Sequence, residues 1–133
     1  MFAESDRSQY WFEIAEYDLE TARVMLSGGR FLYVGFMCHQ TIEKALKGCF
    51  YQTQHQTPPY KHNLTVLSDK CGLLPLMSDD QKALLDLLEP MQIEARYPTY
   101  KQRLLDSLTA DRCQMLITQT EVLLTWIRGM LQR

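Results

Sequence analysis

Apolar residues recur along this chain with a period close to 3.6 and divide it into helices. The first runs from about Ser8 to Leu26, with Trp11, Ile14, Ala15, Leu19, Ala22, Met25 and Leu26 on one face. Gly28-Gly29 ends it, because glycine takes the left-handed cap without steric cost. The second helix runs from about Phe31 to Gln52, with Gly35, Cys38, Ile42, Ala45, Leu46 and Cys49 as its apolar stripe. A loop is predicted over Thr53–Lys61, where Pro58-Pro59 disfavours helix. A short third helix follows from about Asn63 to Lys70, and Gly72 and Pro75 then break the chain.

The fourth helix has the clearest start. Ser78-Asp79-Asp80-Gln81 reads as a capping box with two acids in the first turn. Leu84, Leu85, Leu87, Leu88 and Met91 follow, and Pro90 predicts a kink or an end. Residues 94–107 show no clean period, and Arg96, Lys101 and Arg103 make them the most basic local segment. The last helix runs from about Thr109 to Leu131, with Cys113, Leu116, Ile117, Leu123, Leu124 and Ile127 inward. Met115, Val122, Trp126 and Met130 widen its apolar arc, which suits a central helix or a subunit interface. The expected fold is all-α: an up-and-down bundle of four long helices plus one short helix, in a single domain over residues 1–133.

Composition narrows the function classes. The 133 residues are 46% hydrophobic, enough for one core, and carry a net charge of −2. That charge offers no broad basic field for generic nucleic-acid binding. Glu4, Asp6, Glu13, Glu16, Asp18 and Glu20 face only Arg7 over the first twenty residues, which reads as a solvated helix start. Cys38, Cys49, Cys71 and Cys113 form no CxxC pair, so they are expected to be reduced. With no secretory leader and no run of 18 apolar residues, the expected location is cytoplasmic, away from membranes.

The chemistry gathers on the second helix, in His39-Gln40-Thr41-Ile42-Glu43-Lys44-Ala45-Leu46-Lys47. At 100° per residue, Glu43, Lys47, Gln40 and Lys44 lie about 40°, 80°, 100° and 140° round from His39. A helix needs only its apolar stripe to fold, so this polar face asks for a further cause. Asp18 falls inside the apolar arc of the first helix and must find donors or shift its pKa. His62, at the start of the short helix, is a capping contact or a wall of the same site.

Several pieces together resemble the HEPN family of small helical proteins. Trp11 with Ala15-x-x-Asp18-Leu19-x-x-Ala22 looks like its first helix. Cys38-His39-Gln40-x-x-Glu43-Lys44-x-Leu46-Lys47 is similar to its second-helix signature, and Lys61-His62-x-Leu64-x-x-Leu67 to its entry into the third helix. Ala95-Arg96-Tyr97-Pro98 resembles its "ARYP" segment. The resemblance spans roughly residues 10–130. It implies a four- or five-helix bundle, a homodimer, and pairing with a minimal nucleotidyltransferase in a toxin–antitoxin-like system. It also implies ribonuclease activity where an arginine is followed after four to six residues by histidine. Here Lys101, Gln102 and Arg103 stand where that histidine would follow Arg96. A neutral-pH proton acceptor is therefore missing from that place.

The expected ligand set is His39, Lys44, Lys47, His62 and Arg96, holding nucleotide or RNA phosphate. Asp18, Gln40, Glu43 and Tyr97 would form a polar network around it. Tyr33 and Phe36, beside that face, would mark a partner surface if exposed. No metal site and no cofactor are expected, since His39 and Glu43 supply only two ligands. The expected function is a dimeric binding protein, with a divergent HEPN ribonuclease or a purely structural module as alternatives.

Overall fold

The computed structural model describes residues 4–58, 63–94 and 98–131. Among these residues six α-helices follow one another: α1 (Glu4–Ser27), α2 (Phe31–Gln54), α3 (Leu64–Lys70), α4 (Asp79–Glu94), α5 (Pro98–Ser107) and α6 (Ala110–Leu131). A 3-10 turn (Leu74–Leu76) joins α3 to α4. The four long helices and the short α3 stand where the apolar period places them. α1 starts four residues earlier than expected.

Local chemistry sets the ends. Gly29, at φ +72°, closes α1, and the Arg30 amide bonds back to the Met25 carbonyl at 2.7 Å. At the start of α3, Asn63 accepts from the Val66 amide at 2.9 Å, and Glu89 of α4 accepts from the Leu64 amide at 2.8 Å. Ser78 and Gln81 exchange the two bonds of the capping box, at 2.8 and 3.1 Å. Thr109 caps α6 by accepting from the Arg112 amide.

Two segments depart from expectation, one of them in part. Of the kink or end expected at Pro90, the end does not occur, and α4 continues to Glu94. Proline's fixed φ is itself helical, and buried Leu88 and Met91 on either side hold the turn against the core despite the lost hydrogen bond. Residues 98–107 form α5, a helix the sequence pattern did not predict. Its exposed Gln102, Arg103, Leu105, Asp106 and Ser107 mix polar and apolar without a readable stripe.

α2 is the axis of the molecule: it touches every other α-helix. Its neighbours run up and down around it. Gly48, late in α2, lies on Trp11 and Phe12, early in α1, so these two helices are antiparallel. Met91, late in α4, lies on Gly35, early in α2. α6 runs parallel to α2: the Cys113 thiol meets the Phe31 carbonyl at one end, and Gln52 donates to the Leu131 carbonyl at the other. Both glycines are close-approach positions. A Cβ at Gly48 would sit 2.9 Å from Trp11 Cβ, and one at Gly35 would sit 2.5 Å from Met91 Sδ.

The last helix is inward where expected, at Cys113, Leu116, Ile117, Leu123, Leu124 and Ile127. Met115 and Val122 are exposed, so α6 lies at the periphery and leaves the central place to α2. α1 and α6 are tied across their polar edges by Arg23 with Glu121 and Arg128 with Glu16. Arg128 also lies over the Phe12 ring, 5.4 Å from its centroid.

Candidate functional site

The polar side of α2 is inside the protein. His39, Glu43 and Lys47 are 0%, 1% and 7% exposed. The cause is the central position of α2: with α1, α4, α5 and α6 packed around it, only a strip along Tyr33, Phe36, Met37, Gln40 and Lys44 reaches water. Thr41 is buried as well and turns its hydroxyl to the Met37 carbonyl at 2.9 Å.

Glu43 is the hub. Lys47 Nζ donates to its Oε2 at 3.3 Å, one helical turn on. Lys44 Nζ lies 3.5 Å from the same oxygen and donates to Gln40 Oε1 at 2.9 Å. His39 Nδ1 stands 3.9 Å from Glu43 Oε1, near enough to attract its charge but beyond hydrogen-bond length. A buried carboxylate is tolerated only with cations and donors around it, and α2 supplies these from its own next turns.

Asp18 joins from α1. Burial pushes its carboxyl above the ordinary value, the Lys44 ammonium opposes that shift, and the Glu43 carboxylate adds to it. Asp18, His39, Gln40, Glu43, Lys44 and Lys47 therefore form one network spanning α1 and α2. Lys44 is its outermost cation, with 21% of its side chain exposed. His62, Arg96 and Tyr97 lie outside the described residues.

The thiols behave as core groups. All four cysteines are free and buried. Burial pushes Cys38 up to about 12 and Cys113 up to about 11. The thiols of Cys49 of α2 and Cys71 at the end of α3 interact, which raises Cys49 and lowers Cys71, and the Cys71 thiol donates to the Ser68 carbonyl. Among the described residues, no group of three or more His, Cys, Asp or Glu side chains is placed to hold a metal ion. Among the same residues, no helix is long and apolar enough to cross a membrane.

A different surface opens where α1 turns into α2. Met25, Arg30, Tyr33, Phe36 and Met37 line a mostly apolar hollow of about 410 Å³. Tyr33 is exposed and Phe36 half-buried. Sequence reasoning noticed these two aromatics but missed Met25, Arg30 and Met37 beside them. The signal was available: Tyr33, Phe36 and Met37 follow one another at steps of three and one along the start of α2.

Among the described residues, the buried polar groups that sequence reasoning missed are the hydroxyls of Ser8, Thr41, Ser68 and Thr120 and the side chain of Gln92. Each stands at a three- or four-residue step from buried apolar neighbours, so helical spacing places it on the inward face although its polar side chain does not suggest burial.

Comparison with known proteins agrees with this architecture. The HEPN domain model matches residues 8–130. The crystal structure of TT1696 from Thermus thermophilus superposes with a TM-score of 0.78 at 20% identity, over 92% of this chain and 97% of that one. The crystal structure of ST0689, an archaeal HEPN homologue, gives 0.68 at 23% identity, over 93% and 97%. No curated protein matches the chain. At these identities the two structures speak for the fold, and the family model speaks for kinship over nearly the whole length. The chain belongs to the HEPN domain family.

Proposed function

We propose that this HEPN protein works through protein contacts, as a homodimer and as the partner of a nucleotidyltransferase-type protein in a toxin–antitoxin-like pair, and is not a catalyst by itself. The observation that carries this reading is the internal use of the α2 cations. Lys47 is buried on Glu43, and Lys44 is held by Gln40 beside the Glu43 and Asp18 carboxylates. A phosphate approaching Lys44 would meet those two carboxylates at once, and His39 cannot reach an outside substrate from a fully buried place. The network supports the scaffold, and recognition falls to the surface. The apolar hollow at Tyr33 and Phe36 is the natural contact for the dimer or the partner.

Co-expression with a minimal nucleotidyltransferase-type protein is the direct test, read as co-purification and by light scattering. A complex of defined mass, weakened by Tyr33→Ser with Phe36→Ser, supports the reading. A stable monomer at micromolar concentration that ignores the nucleotidyltransferase overturns it. Thermal shift with AMP, ATP and short RNA covers the phosphate-binding alternative, since a ligand stabilises by about 2.7 kcal/mol at a hundredfold excess over Kd. RNA cleavage in EDTA that disappears in Arg96→Ala would establish the ribonuclease instead.

A further inference from the structure

The outward side of α1 carries a second apolar row. Tyr10, Tyr17 and Val24 are 60%, 74% and 63% exposed. They are spaced seven apart, and half-buried Ile14 and Thr21 fall between them at steps of four and three. At 100° per residue all five lie within about 40° of one line along the helix. The buried residues of α1, Ser8, Phe12, Ala15, Leu19 and Ala22, centre about 160° away from that line. The row is therefore opposite the core and no fringe of the inward face.

Steps of four and three are the spacing of a coiled-coil seam. From Tyr10 to Val24 the row is about 21 Å long, enough for several layers of interlocking side chains. Its borders carry more acid than base. Glu13 and Glu20 occupy the positions before each inner residue on one edge, with Glu20 also paired to Arg23, and Asp18 lies on the other with Arg7, Trp11 and Met25. At its N-terminal end the row opens into a cleft of about 610 Å³ between Arg7, Tyr10, Trp11, Tyr51 and Pro58.

We propose that this face of α1 docks an amphipathic helix of another protein, with an apolar row at heptad spacing and lysines or arginines on its borders. Charge selects against a second copy of α1. Parallel pairing would oppose Glu13 to Asp18, and antiparallel pairing would oppose glutamates to glutamates. A basic-bordered helix turns each of those repulsions into an attraction. Tyr10 and Tyr17 supply the aromatic anchors that carry most of the affinity in such contacts. The row meets the hollow at Tyr33 only at Met25, and the proposal needs neither the dimer nor a nucleotidyltransferase.

The test uses the full chain and three labelled synthetic helices of roughly three heptads each. One has leucine in the seam and lysine on the borders, one has glutamate on the borders, and one is a scramble of the lysine helix. Fluorescence anisotropy should show binding of the ordered lysine helix and at least about tenfold weaker binding of the other two. Tyr17→Ser with Val24→Ser alters only exposed side chains, so the variant should keep its Tm yet lose about tenfold or more in affinity. Glu13→Gln with Glu20→Gln should weaken binding several-fold and flatten its salt dependence. Equal binding of ordered and scrambled helices, undiminished binding to the Tyr17/Val24 variant, or no binding at about 1 mM overturns the proposal. Self-association abolished by Tyr17→Ser would assign the face to a second copy and overturn it equally.

Discussion

The inward side of α2 and the outward side of α1 depart from ordinary helix patterning in opposite directions. On α2, a histidine, a glutamate and a lysine are buried where apolar groups usually sit. On α1, two tyrosines and a valine face water at heptad spacing. The first departure is compensated inside the chain, because Glu43 and Lys47 satisfy each other one turn apart. The second has no compensation within the described chain, and that is what marks it as a surface for something else. A buried polar group thus reports on architecture, while an exposed apolar row reports on recognition.

That contrast can be broken most sharply at Glu43. Glu43→Ala leaves Lys47 buried without its carboxylate and should cost about 3–5 kcal/mol in urea unfolding. Replacing the pair together, Glu43→Leu with Lys47→Met, should recover most of that loss, since well-packed apolar groups often match a buried ion pair. A loss under about 1 kcal/mol for Glu43→Ala would mean that Lys47 reaches water and the network holds nothing.

Next in size is the seating of α2 against its neighbours. Gly48→Ala drives a Cβ to 2.9 Å from Trp11 Cβ, an atom fixed to the α1 backbone. Overpacking of this kind costs about 1–3 kcal/mol, against a gain in helix propensity of up to about 1 kcal/mol. Gly35→Ala meets the flexible end of Met91 instead and should change stability by less than about 1 kcal/mol. Thermal unfolding of the two variants should therefore rank Gly48→Ala well below Gly35→Ala.

Smaller again is the effect at Asp18. Its folded pKa lies above the unfolded one because burial disfavours the charge, so ionised Asp18 opposes folding. Its contribution is most favourable below the unfolded pKa and worsens as pH rises through the folded pKa. Asp18→Asn should consequently raise Tm at neutral pH, with the gain fading as pH falls through the carboxylate range. A lower Tm at neutral pH would show that the attraction to Lys44 outweighs desolvation. Least of all, Tyr17→Ser should move stability by no more than about 0.5 kcal/mol, as expected of a side chain with no role in the core.

The sequence was most legible where one local cue decides an element. The capping box at Ser78–Gln81, the glycine stop at Gly28-Gly29 and the inward stripe of α6 all stand as read. It was least legible at α5, whose short, mixed surface carries no stripe, and at Pro90, where packing on α2 outweighs a lost hydrogen bond. The polar residues of α2 were also recognised as a group, since four-residue spacing alone brings His39, Glu43 and Lys47 to one side. Their spacing could not reveal that this side is buried.

The sequence by itself determined the helical class, most helix boundaries and the grouping of His39, Glu43 and Lys47 on one side of α2, because these depend on residues within a turn or two of each other. The tertiary structure decided which helix is central, and with it which polar residues are desolvated and which apolar ones are left in water. Burial is a property of neighbours distant in the chain. The same periodic stripe is core when Gly48 lets α1 close upon α2, and contact surface when, as at Tyr10, Tyr17 and Val24, the described chain brings nothing to cover it.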